Sequence, residues 1–195
     1  MKNIIFDLGG VIIKETPETV LKILNIEEKN MKKLKQFFKN WEKLDKGEQT
    51  LEEKLEECNI EKNIKEKYKK YLLKYYEYRK TNEELINLIK KLKKNNYKIY
   101  ILSDNNKEAY NYYKKQLKEI DGWIISCEYK TIKKEEKIFK ILLEKYNLKN
   151  NECYFIDDSK ENIEAANKQG ITGFKFDETK IEKLYENMKK HNIKI

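Results

Sequence analysis

The sequence predicts an α/β fold: a parallel sheet of about five strands, helices on both of its faces, and an all-helical insert after the first strand. Three observations carry this. Ile4-Ile5-Phe6 is a short, β-forming apolar run without helical spacing, suited to a strand covered on both faces. From Thr81 onward such runs alternate with stretches of helical periodicity, the pattern of βαβ units. Between these regions, residues 15–80 show helical spacing and no strand signal. The predicted division is therefore an α/β unit of residues 1–14 plus 81–195 and a small helical unit of 15–80, which 195 residues can accommodate.

Asp7-Leu8-Gly9-Gly10 ends the first strand on a carboxylate and turns the chain sharply. Thr16-Pro17-Glu18 reads as a helix start, with Pro at the first helical position, and Val20, Leu21, Ile23 and Leu24 follow. Met31, Leu34, Phe37 or Phe38, Trp41 and Leu44 recur as one amphipathic helix, which Asp45-Lys46-Gly47 breaks. Thr50-Leu51-Glu52-Glu53 is a capping box. Ile60 to Tyr75 then reads as one long helix, with a tyrosine face at Tyr68, Tyr71, Tyr75 and Tyr78 that packs the insert or lines a pocket. Thr81-Asn82-Glu83-Glu84 is a second capping box, opening a helix that leads to a strand from Tyr97 to Leu102, ended by Ser103. A helix with Ala109, Tyr113 and Leu117 precedes a third strand, Trp123 to Ser126. A helix with Ile138, Phe139 and Leu142 precedes a fourth, Cys153 to Ile156, ending on Asp157-Asp158. The next helix closes at Gly170, Gly173 to Phe176 is the fifth strand, and Ile181, Leu184 and Met188 mark the last helix.

Composition bounds the function. The formal net charge is +9, yet the positive charge is almost all Lys, with Arg79 the only Arg, so a nucleic-acid partner is not expected. Cys58, Cys127 and Cys153 are odd in number and show no CxxC spacing, which points to a reducing, cytoplasmic setting. No stretch has the length of a membrane span. His191 is the only histidine, which leaves no residues for a Ser-His-Asp machine or a His-based metal site.

The chemistry lies at the strand ends. In a parallel sheet Asp7, Ser103 and Asp157-Asp158 share one edge, where carboxylates from separate strands can bind a hard cation such as Mg²⁺. A carboxylate beside such an ion is placed for attack on a phosphoryl group, Ser103 can hold a phosphoryl oxygen, and a Lys is needed for the spread negative charge. Asp104, Asn105 and Asn106 follow Ser103, either touching substrate or capping the next helix.

These residues resemble the haloacid-dehalogenase-like (HAD) hydrolases with a helical cap. Ile4 to Val11 is similar to the family's first motif, Ile99 to Ser103 to its second, and Tyr154 to Asn162 to its fourth. The third is similar to Lys133-Lys134-Glu135-Glu136-Lys137-Ile138-Phe139 with both prolines absent, so Lys133, Lys134 or Lys130 takes the lysine place. The resemblance implies a Rossmann-like sheet of order 5-4-1-2-3 with residues 15–80 as the cap. It also implies Asp7 as nucleophile, Ser103 and Lys133 as phosphate holders, and Mg²⁺ on Asp7, the Gly9 carbonyl, Asp157 and Asp158. Leu8, Gly9, Asp104 and Asn105 would face the substrate, a small phosphorylated metabolite of the sugar-phosphate class. A monomer or weak homodimer is expected.

The departure is Gly9, where phosphatases of this family carry a second Asp as general acid–base. A positioned acid–base contributes about 10²–10⁴-fold. Expectations therefore divide between a slow phosphatase, with Glu15 or a cap residue as the acid, and a metal- and phosphate-binding protein without turnover. Haloacid dehalogenation stands behind both, since that chemistry uses no metal while the Asp157-Asp158 pair is present.

Overall fold

The computed structural model describes residues 1–14 and 21–195. The helix start expected at Thr16-Pro17 and the candidate acid Glu15 lie outside the described residues. Five parallel strands form one sheet: β1 (Asn3–Phe6), β2 (Lys98–Ser103), β3 (Gly122–Ile125), β4 (Cys153–Asp157) and β5 (Thr172–Lys175), in the order β3-β2-β1-β4-β5. This is the expected order read from the opposite edge. β1 is central, so its apolar run is buried on both faces. Ile4 and Phe6 enter one core and Ile5 the other, the two-residue alternation of a pleated strand.

Helices cover both faces. On the Ile5 side lie the apolar stripes of α8 (Lys137–Lys145) and α9 (Lys160–Lys168), through Ile138, Phe139, Leu142 and Ala166. On the Phe6 side lie α5 (Glu83–Lys94), α6 (Lys107–Gln116) and α10 (Ile181–Lys190), through Leu88, Leu92, Tyr113, Leu184 and Met188. The short α7 (Ser126–Tyr129) follows β3 directly, so Ser126 opens a helix rather than closing the strand as its apolar neighbours suggested.

The segment between β1 and α5 holds α1 (Glu28–Leu34), α2 (Glu42–Asp45), α3 (Leu51–Glu56) and α4 (Lys62–Leu72), and no named strand among the described residues. Two expected long helices are each broken. The Met31–Leu44 periodicity splits into α1, a 3₁₀ turn at Lys35–Phe38 and α2, with Asn40 at φ +51° between them. The Ile60–Tyr75 stretch stops at Leu72 and resumes as a 3₁₀ turn at Tyr75–Tyr78. The capping box at Thr50 forms, with Glu53 N 3.1 Å from the Thr50 hydroxyl. At the second expected box the cap falls one residue later: the Asn82 side chain accepts from Leu85 N, while the Thr81 hydroxyl binds Glu83. The two ends of the segment run side by side, with Lys14 N donating to Lys80 O at 2.9 Å and Asn82 N to Ile12 O at 2.7 Å.

Candidate active site

Register brings the acidic strand ends together. Phe6 pairs with Ile156 of β4 and with Ile101 of β2. One residue further on, Asp7 lies level with Asp157, and Asp7 N donates to Ile156 O at 2.8 Å. Ser103 ends the strand on the other flank of β1. Carboxylate oxygens of Asp7, Asp157 and Asp158 lie within 4.8 Å of one another.

Among these acids sits the ammonium of Lys133, 2.8 Å from Asp7 Oδ1 and 2.6 Å from Asp157 Oδ2, with the whole side chain buried. Of the three lysines left open by the sequence, this one enters the site. Lys134 pairs with Glu42 at the surface, and Lys130 is exposed in the left-handed region at φ +51°. Burial works against the charge on Lys133, but Asp157, Asp7 and Asp104 outweigh it and hold the group protonated, its pKa raised. Asp7 is pushed the other way: burial raises its pKa well above the usual carboxylate range, Lys133 opposes this, and Asp157 adds to it. The site thus concentrates more carboxylate than ammonium in a dry place.

Each group is held from outside. Asp7 Oδ1 also accepts from Leu8 N at 2.7 Å, so the Leu8 amide is used within the site while its side chain lies in the core. Asp157 Oδ1 accepts from Ser159 N at 2.8 Å, and the Asn162 amide donates to both Asp157 oxygens at 3.1 Å. Asn162 is a positioning residue one turn into α9. Asp104 does not cap α6; Asn106 does, accepting from Ala109 N at 2.8 Å. Both Asp104 oxygens instead take the Lys133 amide, at 3.0 and 3.2 Å, which fixes the backbone of the lysine loop.

This donor set fits a hard cation: three converging carboxylates of oxygen type only, with charge left over after one lysine. The Ser103 hydroxyl is buried and has no hydrogen-bond partner among the described residues. A buried hydroxyl left unpaired is costly unless a ligand satisfies it. Gly10, at φ +73°, lets the chain turn beneath Asp158; a Cβ there would clash with Asp158 Oδ2.

Above the edge, the helical segment forms the second wall of a cleft of about 200 Å³. Phe38, Trp41, Asp45, Tyr75 and Arg79 face Gly9, Asp104 and Asn105 across it. The aromatic wall is compact, with Phe38 and Trp41 stacked at 6.4 Å and Tyr75 tilted onto Trp41 at 5.5 Å. Of the tyrosine face, Tyr68 is core and Tyr71 is exposed; Tyr75 lines the cleft.

Sequence reasoning passed over Asp45 as a helix breaker. It ends α2, and its docking explains its position. Ser126 Oγ donates to Asp45 O at 2.5 Å and accepts from Asn105 N at 2.8 Å, tying the helical wall to the β2 edge. Alongside, Lys46 pairs with Glu135 at 2.5 Å, and Gly47 lies against Cys127, whose carbonyl a Cβ would meet at 2.8 Å. The Asp45 carboxyl opens into the cleft but is hemmed in by protein. Burial, with Asp104 adding, raises its pKa to about 8.

A family model for haloacid dehalogenase-like hydrolases matches residues 1–170. No curated protein matches the chain at significant similarity. Among solved structures, a HAD family enzyme from Bacteroides thetaiotaomicron, in complex with magnesium and inorganic phosphate, superposes with a TM-score of 0.72 at 22% identity over 91% of this chain and 94% of that one. A HAD-like family hydrolase from Porphyromonas gingivalis gives 0.69 at 22% identity, covering 96% and 98%. A dehalogenase structure gives 0.69 at 15% identity, covering 90% and 84%.

Proposed function

We propose a reaction for a chain that belongs to the haloacid dehalogenase-like hydrolase family: hydrolysis of a small phosphate monoester, of the sugar-phosphate class, through an aspartyl-phosphate on Asp7. The observation that carries this reading is the sealed Lys133 ammonium shared by Asp7 and Asp157 at the sheet edge. A site that only held structure together would gain little from burying two acids around one lysine, because desolvation offsets the attraction. A site that must receive a dianionic phosphoryl group needs that balance.

Asp7, the Gly9 carbonyl, Asp157 and Asp158 would hold magnesium, which when bound supplies positive charge for the phosphoryl oxygens. Asp7 Oδ1 is anchored by Leu8 N and Lys133, which leaves Oδ2 as the attacking oxygen. Attack forms the Oδ2–P bond as the ester P–O bond breaks, and water then releases phosphate from Asp7. Lys133 and the Ser103 hydroxyl hold the oxygens of the transferring group. The segment 15–80 acts as a cap over the α/β unit of 1–14 plus 81–195. The cap excludes water and presents Trp41, Tyr75 and Arg79 to the part of the substrate beyond the phosphate. Three unbridged cysteines suit a cytoplasmic enzyme, and no helix among the described residues is long and apolar enough to cross a membrane.

The test is turnover of p-nitrophenyl phosphate and a panel of phosphorylated metabolites with Mg²⁺. Wild type should release phosphate, and Asp7→Asn should abolish release while keeping the circular-dichroism spectrum of the folded chain. No turnover of any phosphate ester would overturn the reading.

A further inference from the structure

We propose that Asp45, reaching into the cleft from the helical cap, is the general acid that protonates the departing ester oxygen, the task for which Gly9 offers no group. This rests on the phosphatase reading above. Asp45 lines the cleft opposite Gly9, beside Asp104 and Asn105. Its backbone is fixed there by the Ser126 hydroxyl bridging to Asn105. Its carboxyl oxygens have no hydrogen bond or ion pair among the described residues, so nothing competes for its proton.

The groups around it are accounted for. Asp104, just beyond β2, has both oxygens engaged with the Lys133 amide, which commits it to holding the lysine loop; burial raises its pKa and Lys133 opposes this. The Lys133 ammonium is held by Asp7 and Asp157. Lys54, from α3, donates to Asn40 O at 3.0 Å. Glu42, on Asp45's own helix, pairs with Lys46 and Lys134 at the surface. Arg79 lines the same cleft but stays charged at all working pH. Half-buried beside Asp104, Asp45 keeps its proton at neutral pH.

The proton balance closes. As Asp7 Oδ2 bonds to phosphorus and the ester P–O bond breaks, the leaving oxygen takes the Asp45 proton and departs as an alcohol. In the second step Asp45, now ionised, takes a proton from the water that bonds to phosphorus while the bond to Asp7 breaks. Phosphate leaves and Asp45 is protonated again.

The experiment compares wild type and Asp45→Asn on a series of aryl phosphates running from 2,4-dinitrophenyl phosphate, whose leaving group needs no proton, to phenyl phosphate, whose leaving group does. The variant should lose about 10²-fold or more on phenyl phosphate and less than about tenfold on 2,4-dinitrophenyl phosphate. Wild-type kcat/KM for phenyl phosphate should fall above pH of about 8, and the variant should lack that limb. Asp45→Ser serves as a second variant should the amide disturb folding, and it should show the same leaving-group dependence. Equal losses across the series would overturn the assignment of Asp45 while leaving the phosphatase reading standing. Absence of wild-type turnover on 2,4-dinitrophenyl phosphate would overturn both.

Discussion

Lys133 and Asp157 meet 2.6 Å apart in a place with essentially no solvent access, each the other's nearest counter-charge. Removing one member of such a pair leaves a bare buried charge, which costs about 3–5 kcal/mol. Lys133→Met should therefore lower stability by about that amount in metal-free buffer. Thermal unfolding with and without MgCl₂ checks this, and the variant should recover more stability from Mg²⁺ than wild type does, because its carboxylates are short of positive charge.

Wild type itself should be stabilised by Mg²⁺. A ligand at about a hundred times its Kd adds about 2.7 kcal/mol to a folded chain that alone binds it. Asp157→Asn should erase most of the gain and Asp158→Asn a smaller part, since Asp157 is buried and held by Asn162 whereas Asp158 is exposed. Differential scanning fluorimetry across a Mg²⁺ titration reads both.

Gly10 joins backbone demand to site geometry. At φ +73° a side chain costs about 1–2 kcal/mol, and its Cβ would press on Asp158. Gly10→Ala should lower Tm and weaken Mg²⁺ binding together, as measured by urea unfolding and calorimetric titration. A variant with wild-type Mg²⁺ affinity would show that Asp158 does not depend on this turn.

The pH dependence of stability carries a definite sign. Asp45 has its folded pKa raised from 3.8 to about 8. The folded chain therefore holds a proton that the unfolded chain has released throughout that window. Its contribution is complete below the unfolded pKa and is lost as pH rises through the folded one. Metal-free wild type should thus lose stability from pH 5 to pH 8, with Asp7, shifted in the same direction, adding to the slope. Asp45→Asn should flatten the fall and exceed wild type at pH 8. Unfolding temperatures at three pH values would decide it.

The sheet and its acidic edge were legible in the sequence because each central strand is a buried apolar run ended by a polar residue, as in Tyr154-Phe155-Ile156-Asp157. Lys133 could not be separated from Lys134 and Lys130 by spacing alone; burial separates them, and burial depends on the Asp104 carboxylate that grips its amide. Among its described residues the segment between β1 and α5 is helical, but in short pieces where its periodicity predicts long helices. Periodicity registers side chains, while the breaks come from backbone choices such as Asn40 in the left-handed region. Asp45 was invisible as a functional group for a further reason. Nothing local marks it, and its meaning comes from Ser126, far along the chain, which docks it over the strand ends.

The paired strands of chain at Lys14–Lys80 and Ile12–Asn82 have an evolutionary corollary. Where two ends already touch, the loops of the intervening stretch can be lengthened or shortened without disturbing the strand ends below, so long as Asp45 stays docked over them. Change in the aromatic wall of Phe38, Trp41 and Tyr75 can then alter the shape of the cleft, while the acidic strand ends are inherited unchanged.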